Sequence, residues 1–127
     1  MNKSVLDASA LLALLNQEAG ADQVAAVIPR AALSAVNLAE VVAKLIDGGM
    51  PTAAVREALD TLGLHIVDFT ETLAYESAAL RAKTKKLGLS VGDRACLATI
   101  IYMELPVLTA DRDRLKLKTS IKITCIR

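Results

Sequence analysis

Short runs of apolar, often β-branched residues alternate along this chain with longer stretches of helical period, and that alternation restricts the fold more than any other feature. "KSVLD" (3–7) reads as a strand, 9–15 as a helix and 20–28 as a further short helix. "RAALSA" (30–35) is a weak second strand, followed by "NLAEVVAKLIDGG" (37–49), a helix closed by Gly48 and Gly49. "PTAAVREALDTLG" (51–63) starts on Pro51 and ends on Gly63, as an exposed amphipathic helix does. "LHIVDF" (64–69) is the third strand, "TETLAYESAALRAKTKKLG" (70–88) one long helix, and 90–103 a buried helix. "LPVLTA" (105–110) and "SIKITCI" (120–126) complete the set as fourth and fifth strands. Strands separated by helices in this way build an α/β domain, a parallel sheet covered by helices on both faces.

The 127 residues suffice for one such domain, 1–127, and not for two. Hydrophobic residues make up 54% and aromatics only 2%, so Ala, Leu, Val and Ile must fill the core. The start of the chain, with Lys3 ahead of an apolar run, superficially resembles a secretion signal. Asp7 interrupts that run, and the stretch 8–15 falls far short of the roughly 20 residues a membrane span needs. The expectation is a soluble cytoplasmic protein without a membrane partner. Cys96 and Cys125 stand far apart with no Cys-x-x-Cys, which indicates neither zinc nor a disulfide framework.

Charge is unevenly distributed. Residues 1–80 carry four Lys/Arg against ten Asp/Glu, whereas 81–127 carry eleven against four. "RAKTKK" (81–86) and "RDRLKLKTSIK" (112–122) concentrate the positive charge. Such runs read either as solvated faces or as a footprint for phosphates.

Four carboxylates sit at junctions of this map. Asp7 ends the first strand and Asp111 follows the fourth; Glu40 is expected in the first turn of the helix after the second strand, and Asp93 in the first turn of the helix opening at Ser90. In an open parallel sheet those positions share the edge where ligands bind. Singly, each has a plainer explanation. "SVGD" and "NLAE" both match a capping box, Asp7 or Ser9 can cap the first helix, and Asp111 can start a turn. Together, converging carboxylates repel by several kcal/mol per close pair at an effective dielectric near ~20, so a cation must lie between them. Oxygen donors without His or Cys favour Mg²⁺ or Mn²⁺ over zinc.

Other chemistries are excluded. A single histidine, His65, cannot supply an imidazole acid–base pair, no Gly-rich phosphate loop is present, and no serine has a histidine at plausible geometry. Metal-assisted attack by water on a phosphodiester remains.

With those residues placed, the chain resembles PIN-domain ribonucleases, most closely the VapC-type toxins of toxin–antitoxin pairs. The resemblance runs nearly end to end through "LDASALLALL", "SAVNLAEVVAKL", "LGLSVGDRACLATI" and "VLTADRDRL", in that order. It implies a single PIN domain with sheet order 3-2-1-4-5, an acidic pocket holding Mg²⁺ or Mn²⁺, and cleavage of single-stranded RNA. It carries Asp7, Glu40, Asp93 and Asp111 onto the family's metal-binding and catalytic positions. Asp113 is auxiliary, as are Ser9 and Thr109, where relatives hold hydroxyls bonded to the acids, and Asn37, which braces the turn bearing Glu40. Arg94 and Arg112 are candidates for RNA phosphate or, equally, surface ion-pair residues. It also implies a homodimer held inactive by a small cognate antitoxin. One departure stands out: Arg114 replaces a bulky aromatic that many relatives carry after "TADRD".

Three rivals stay open. They are a PIN nuclease of RNA maturation, a PIN module that binds an antitoxin without turnover, and a phosphoacceptor domain. The last wants paired acids after the first strand, where "LDAS" supplies one.

Overall fold

β1 (Ser4–Leu6) lies at the centre of a five-stranded, all-parallel sheet of order β3-β2-β1-β4-β5. The computed structural model describes residues 1–117 and 119–127; Lys118, part of the second basic run, lies outside the described residues. β2 (Ala31–Ser34) and β4 (Val107–Thr109) flank β1, and β3 (His65–Val67) and β5 (Ile123–Cys125) form the edges. The order and direction expected from the resemblance are those observed.

Period-two alternation explains the layering. Leu6, Leu33 and Leu108 face one side, joining Ala10 and Leu11 of α1 (Ala8–Leu15), Val24 of α2 (Ala21–Val27), Val41 of α3 (Ala35–Asp47) and Val55 of α4 (Thr52–Asp60). Val5, Ala32 and Val107 face the other, against Cys96, Leu97 and Ile100 of α7 (Val91–Met103). Leu6, Leu11 and Leu33 are wholly buried, each contributing about 1.5–3 kcal/mol through removal from water. With few aromatics available, aliphatic side chains fill both faces, as the composition requires.

Two helices depart from the sequence expectation. The stretch 70–88 is not continuous: α5 (Glu71–Ala79) ends at a turn on Leu80, and α6 (Arg81–Thr84) follows. Leu80 packs toward the β1 core, and the Thr84 hydroxyl donates to the Leu80 carbonyl at 2.8 Å. α3 starts earlier than expected, because Ser34 caps it by accepting from the Val36 amide at 3.2 Å. "NLAE" therefore forms no capping box, and Glu40 stands in the second turn rather than the first. "SVGD" does form its box: Ser90 and Asp93 exchange side chain-to-backbone bonds at 3.1 and 3.0 Å.

The C-terminal segment is pinned across α2. Gly20 adopts φ +93°, and a Cβ there would stand 2.5 Å from the Ile126 carbonyl oxygen. Ile126 in turn is buried and donates its amide to Thr109. Gly20→Ala is expected to cost about 1–3 kcal/mol from the left-handed backbone and the clash, read as a lower urea midpoint at unchanged slope.

Candidate active site

The carboxyl ends of β1, β2 and β4 and the start of α7 converge on one cavity of about 570 Å³. Asp7, Glu40, Asp93 and Asp111 all line it, with Ser9 and Asn37. The topology produces this meeting: each helix runs back antiparallel to its strand, so strand ends and helix starts share an edge. Glu18, Lys44, Arg114 and Arg127 line the cavity as well.

Asp7 caps α1 with one oxygen and leaves the other without a partner. Its Oδ1 accepts from the Ala10 amide at 2.9 Å and from the Ser9 hydroxyl at 2.7 Å. Its Oδ2 is buried without any partner, in a residue only 2% exposed. Ser9 also accepts from the Ala110 amide at 2.9 Å and lies 3.2 Å from the Thr109 hydroxyl. Since the single Ser9 proton goes to Asp7, Thr109 must be the donor in that contact. Thr109 Oγ1 accepts from the Asp111 amide at 3.0 Å, so one chain of hydroxyls ties the first acid to the backbone of the fourth.

Glu40 is held from two sides. Asn37, 2% exposed, donates through Nδ2 to Glu40 Oε1 at 2.7 Å and to the Gly92 carbonyl at 3.1 Å. Two acceptors on one nitrogen fix the amide's orientation and leave Asn37 Oδ1 buried without a partner. The Glu40 carboxylate lies directly against Gly92, where an added Cβ would come within 2.3 Å of Oε1. Gly92 was not singled out in the sequence. Its position between the two residues of the "SVGD" box that matter for capping is a signal only once α3 and α7 are known to touch.

Asp93 and Asp111 are different: both engage Arg114. Its Nη2 donates to Asp93 Oδ1, and its Nε stands 3.8 Å from Asp111 Oδ2. The other oxygens, Asp93 Oδ2 and Asp111 Oδ1, accept from the amides of Ser90 and Asp113. Arg114 is a residue whose role the sequence left blank, marked there only as a departure.

Not all candidates reach the cavity. Asp113 is exposed and pairs with Lys116 at 3.3 Å, and Arg112 is exposed. Arg94 is half-buried with its Nε unpartnered and does not line the cavity. His65 sits on edge strand β3 and accepts from the Asn2 side chain, the ordinary bond expected of it. Cys96 lies beneath the acids, where burial, reinforced by the Asp7 charge, pushes its thiol pKa far up; it packs as a thiol.

The donor set fits a hard divalent cation. It consists of carboxylate oxygens, one of them buried and orphaned. Among the described residues no three His, Cys, Asp or Glu side chains stand close enough together to hold one metal ion. Mg²⁺ does not require three, because it keeps several waters and takes one or two carboxylates.

A five-stranded parallel α/β domain with a carboxylate-lined cavity at the carboxyl edge of its sheet falls in the class of open α/β folds that take ligands at that edge. Within that class the chain belongs to the PIN domain family, whose model matches residues 4–119. PIN domains are nucleases and generally use divalent metals, which supports a hydrolytic nuclease here. Solved structures are similar throughout. DNA-bound VapBC from Salmonella typhimurium superposes with TM-score 0.77 at 19% identity, covering 100% of both chains. A toxin–antitoxin complex from Klebsiella pneumoniae gives 0.71 at 26% identity over 87% of this chain and 89% of that one. FitAcB from Neisseria gonorrhoeae gives 0.69 at 22% identity over 95% and 96%. No curated protein matches the chain. Among the described residues no helix is long and apolar enough to cross a membrane.

Proposed function

We propose that the protein is an Mg²⁺- or Mn²⁺-dependent endoribonuclease cutting single-stranded RNA, and the toxin of a toxin–antitoxin pair. The observation that carries this reading is the buried, partnerless Asp7 Oδ2 in a cavity shared with Glu40, Asp93 and Asp111. An ionised oxygen removed from water costs several kcal/mol unless a cation compensates it. A divalent ion, when bound, supplies the Lewis acidity that lets water attack a phosphodiester at neutral pH. Asp7 and Glu40, the two acids without an ion pair among the described residues, would hold it, with Asp93 and Asp111 lining the same cavity. Ser9 and Thr109 orient the acids, and Asn37 positions Glu40. Arg94 and Arg112, outside the cavity, meet flanking RNA phosphates, with Asp113 in an auxiliary part at most.

The partner side of the reading rests on the VapBC and toxin–antitoxin neighbours. A small antitoxin has an apolar groove to occupy between α3, α4 and β3, lined by Leu38, Val42, Val55, Leu59 and Ile66. A homodimer is supported by exposed Ile101 and Tyr102 on α7 and exposed Tyr75 on α5, the helix packed against it. The test is cleavage of a single-stranded RNA by the purified chain with Mg²⁺ or Mn²⁺. Cleavage is expected to stop with a chelator and to resume when the ion is restored. Cleavage indifferent to the chelator rejects the metal.

One observation favours a second reading, a PIN module that binds an antitoxin without turnover: Arg114 already engages two of the four acids. Under it, no RNA is cut at any concentration of either ion.

A further inference from the structure

Arg114 divides the acidic cavity into two halves. Its guanidinium is largely buried, 13% exposed, and reaches both Asp93 and Asp111. Asp7 and Glu40 have no ion pair among the described residues, although both line the same cavity. The other two cations there are placed otherwise: Arg127 bonds Glu18 at 3.2 Å, and Lys44 pairs with none of the acids. The cavity thus contains a neutralised pair and an un-neutralised pair. The un-neutralised pair includes Asp7 Oδ2, buried and without a partner, an atom that a bound cation would satisfy.

We infer that Arg114 is a resident cation of this cavity, occupying the Asp93–Asp111 half, so that the chain takes a single divalent ion, at Asp7 and Glu40. The inference rests on the metal-site reading above and adds to it the number of ions and the residue that sets that number. A planar guanidinium suits the role because its donors span two carboxylates at once, which a lysine ammonium does not. Its position is fixed by short-range chain geometry: Arg114 lies three residues after Asp111, in the turn that Asp111 itself caps. A divalent ion entering the Asp93–Asp111 half must displace a tethered charge of its own sign. At Asp7 and Glu40 it meets carboxylates that no ion pair engages among the described residues.

The experiment is Mn²⁺ titration of the purified chain by calorimetry, with bound Mn²⁺ counted independently by electron paramagnetic resonance. The unmodified chain is expected to bind one Mn²⁺, and Asp7→Asn to lose it. Arg114→Leu is expected to bind a second Mn²⁺, or to hold its ion at least fivefold more tightly. Arg114→Lys, which keeps charge but cannot span both acids, should change in the same direction. It replaces the leucine variant if circular dichroism shows that one unfolded. Two ions on the unmodified chain, or unchanged stoichiometry with affinity within fivefold in the Arg114 variants, overturns the inference. In those cases Asp7-dependent Mn²⁺ binding leaves the metal reading standing. Absence of Mn²⁺ binding in every variant, Arg114→Leu included, removes both; binding only after Arg114 is replaced overturns the single-ion inference and leaves the metal reading standing.

Discussion

Asp7→Asn is expected to abolish RNA cleavage, by about a thousandfold or more, while leaving the unfolding midpoint unchanged or raised. The two oxygens of Asp7 make this separation possible. Oδ1 accepts from the Ala10 amide and the Ser9 hydroxyl, and an asparagine oxygen in the same place accepts both. Asparagine caps helices about as well as aspartate, so α1 keeps its start. Oδ2 is the buried atom with no partner, and the amide that replaces it carries no charge to desolvate. Stability therefore loses little and is relieved of a buried negative charge, whereas the ligand for a cation is gone. Parallel measurement of cleavage rate and thermal unfolding checks this. A variant that both cuts RNA and melts normally means that Asp7 is only a cap.

Gly92→Ala should separate activity from stability by a different route. The new methyl carbon would fall within 2.3–2.5 Å of the Glu40 carboxylate atoms, so the carboxylate must move. It can do so, because a glutamate side chain is flexible and Glu40 is half-buried at the cavity wall. Alanine in place of glycine within a helix stabilises by about 0.5–1 kcal/mol. Loss of the Asn37–Glu40 bond costs about 0.5–1.5 kcal/mol. The net change in stability is thus small, within about 1 kcal/mol. Displacement of a site group by about an ångström, by contrast, lowers turnover roughly a hundredfold. The checks are cleavage kinetics beside Glu40→Gln, and urea unfolding. If Gly92→Ala cuts RNA at the original rate while Glu40→Gln does not, the displacement argument is wrong.

The two readings first set against each other for the acids, cap or ligand, prove compatible. Asp7 caps with one oxygen and leaves the other unpaired; Asp93 forms the expected capping box and still reaches Arg114 with its second oxygen. A carboxylate has two oxygens, and a helix start needs only one. Sequence patterns near a helix start therefore cannot distinguish the cases.

Sequence by itself determined the strand–helix alternation, the parallel sheet and the placing of four acids at one edge, because period-two and helical patterns and cap residues act over a few neighbours. It misplaced the start of α3, where the Ser34 cap outweighed the longer pattern, and ran α5 into α6 across the turn at Leu80. Only the tertiary structure decided which oxygens remain unpartnered, that Gly92 is the surface against which Glu40 rests, and that Arg114 faces two acids, one of them 21 residues away. Those facts arise where α3, α7 and the turn after β4 come together, and contacts between segments far apart in the chain leave no periodicity to read.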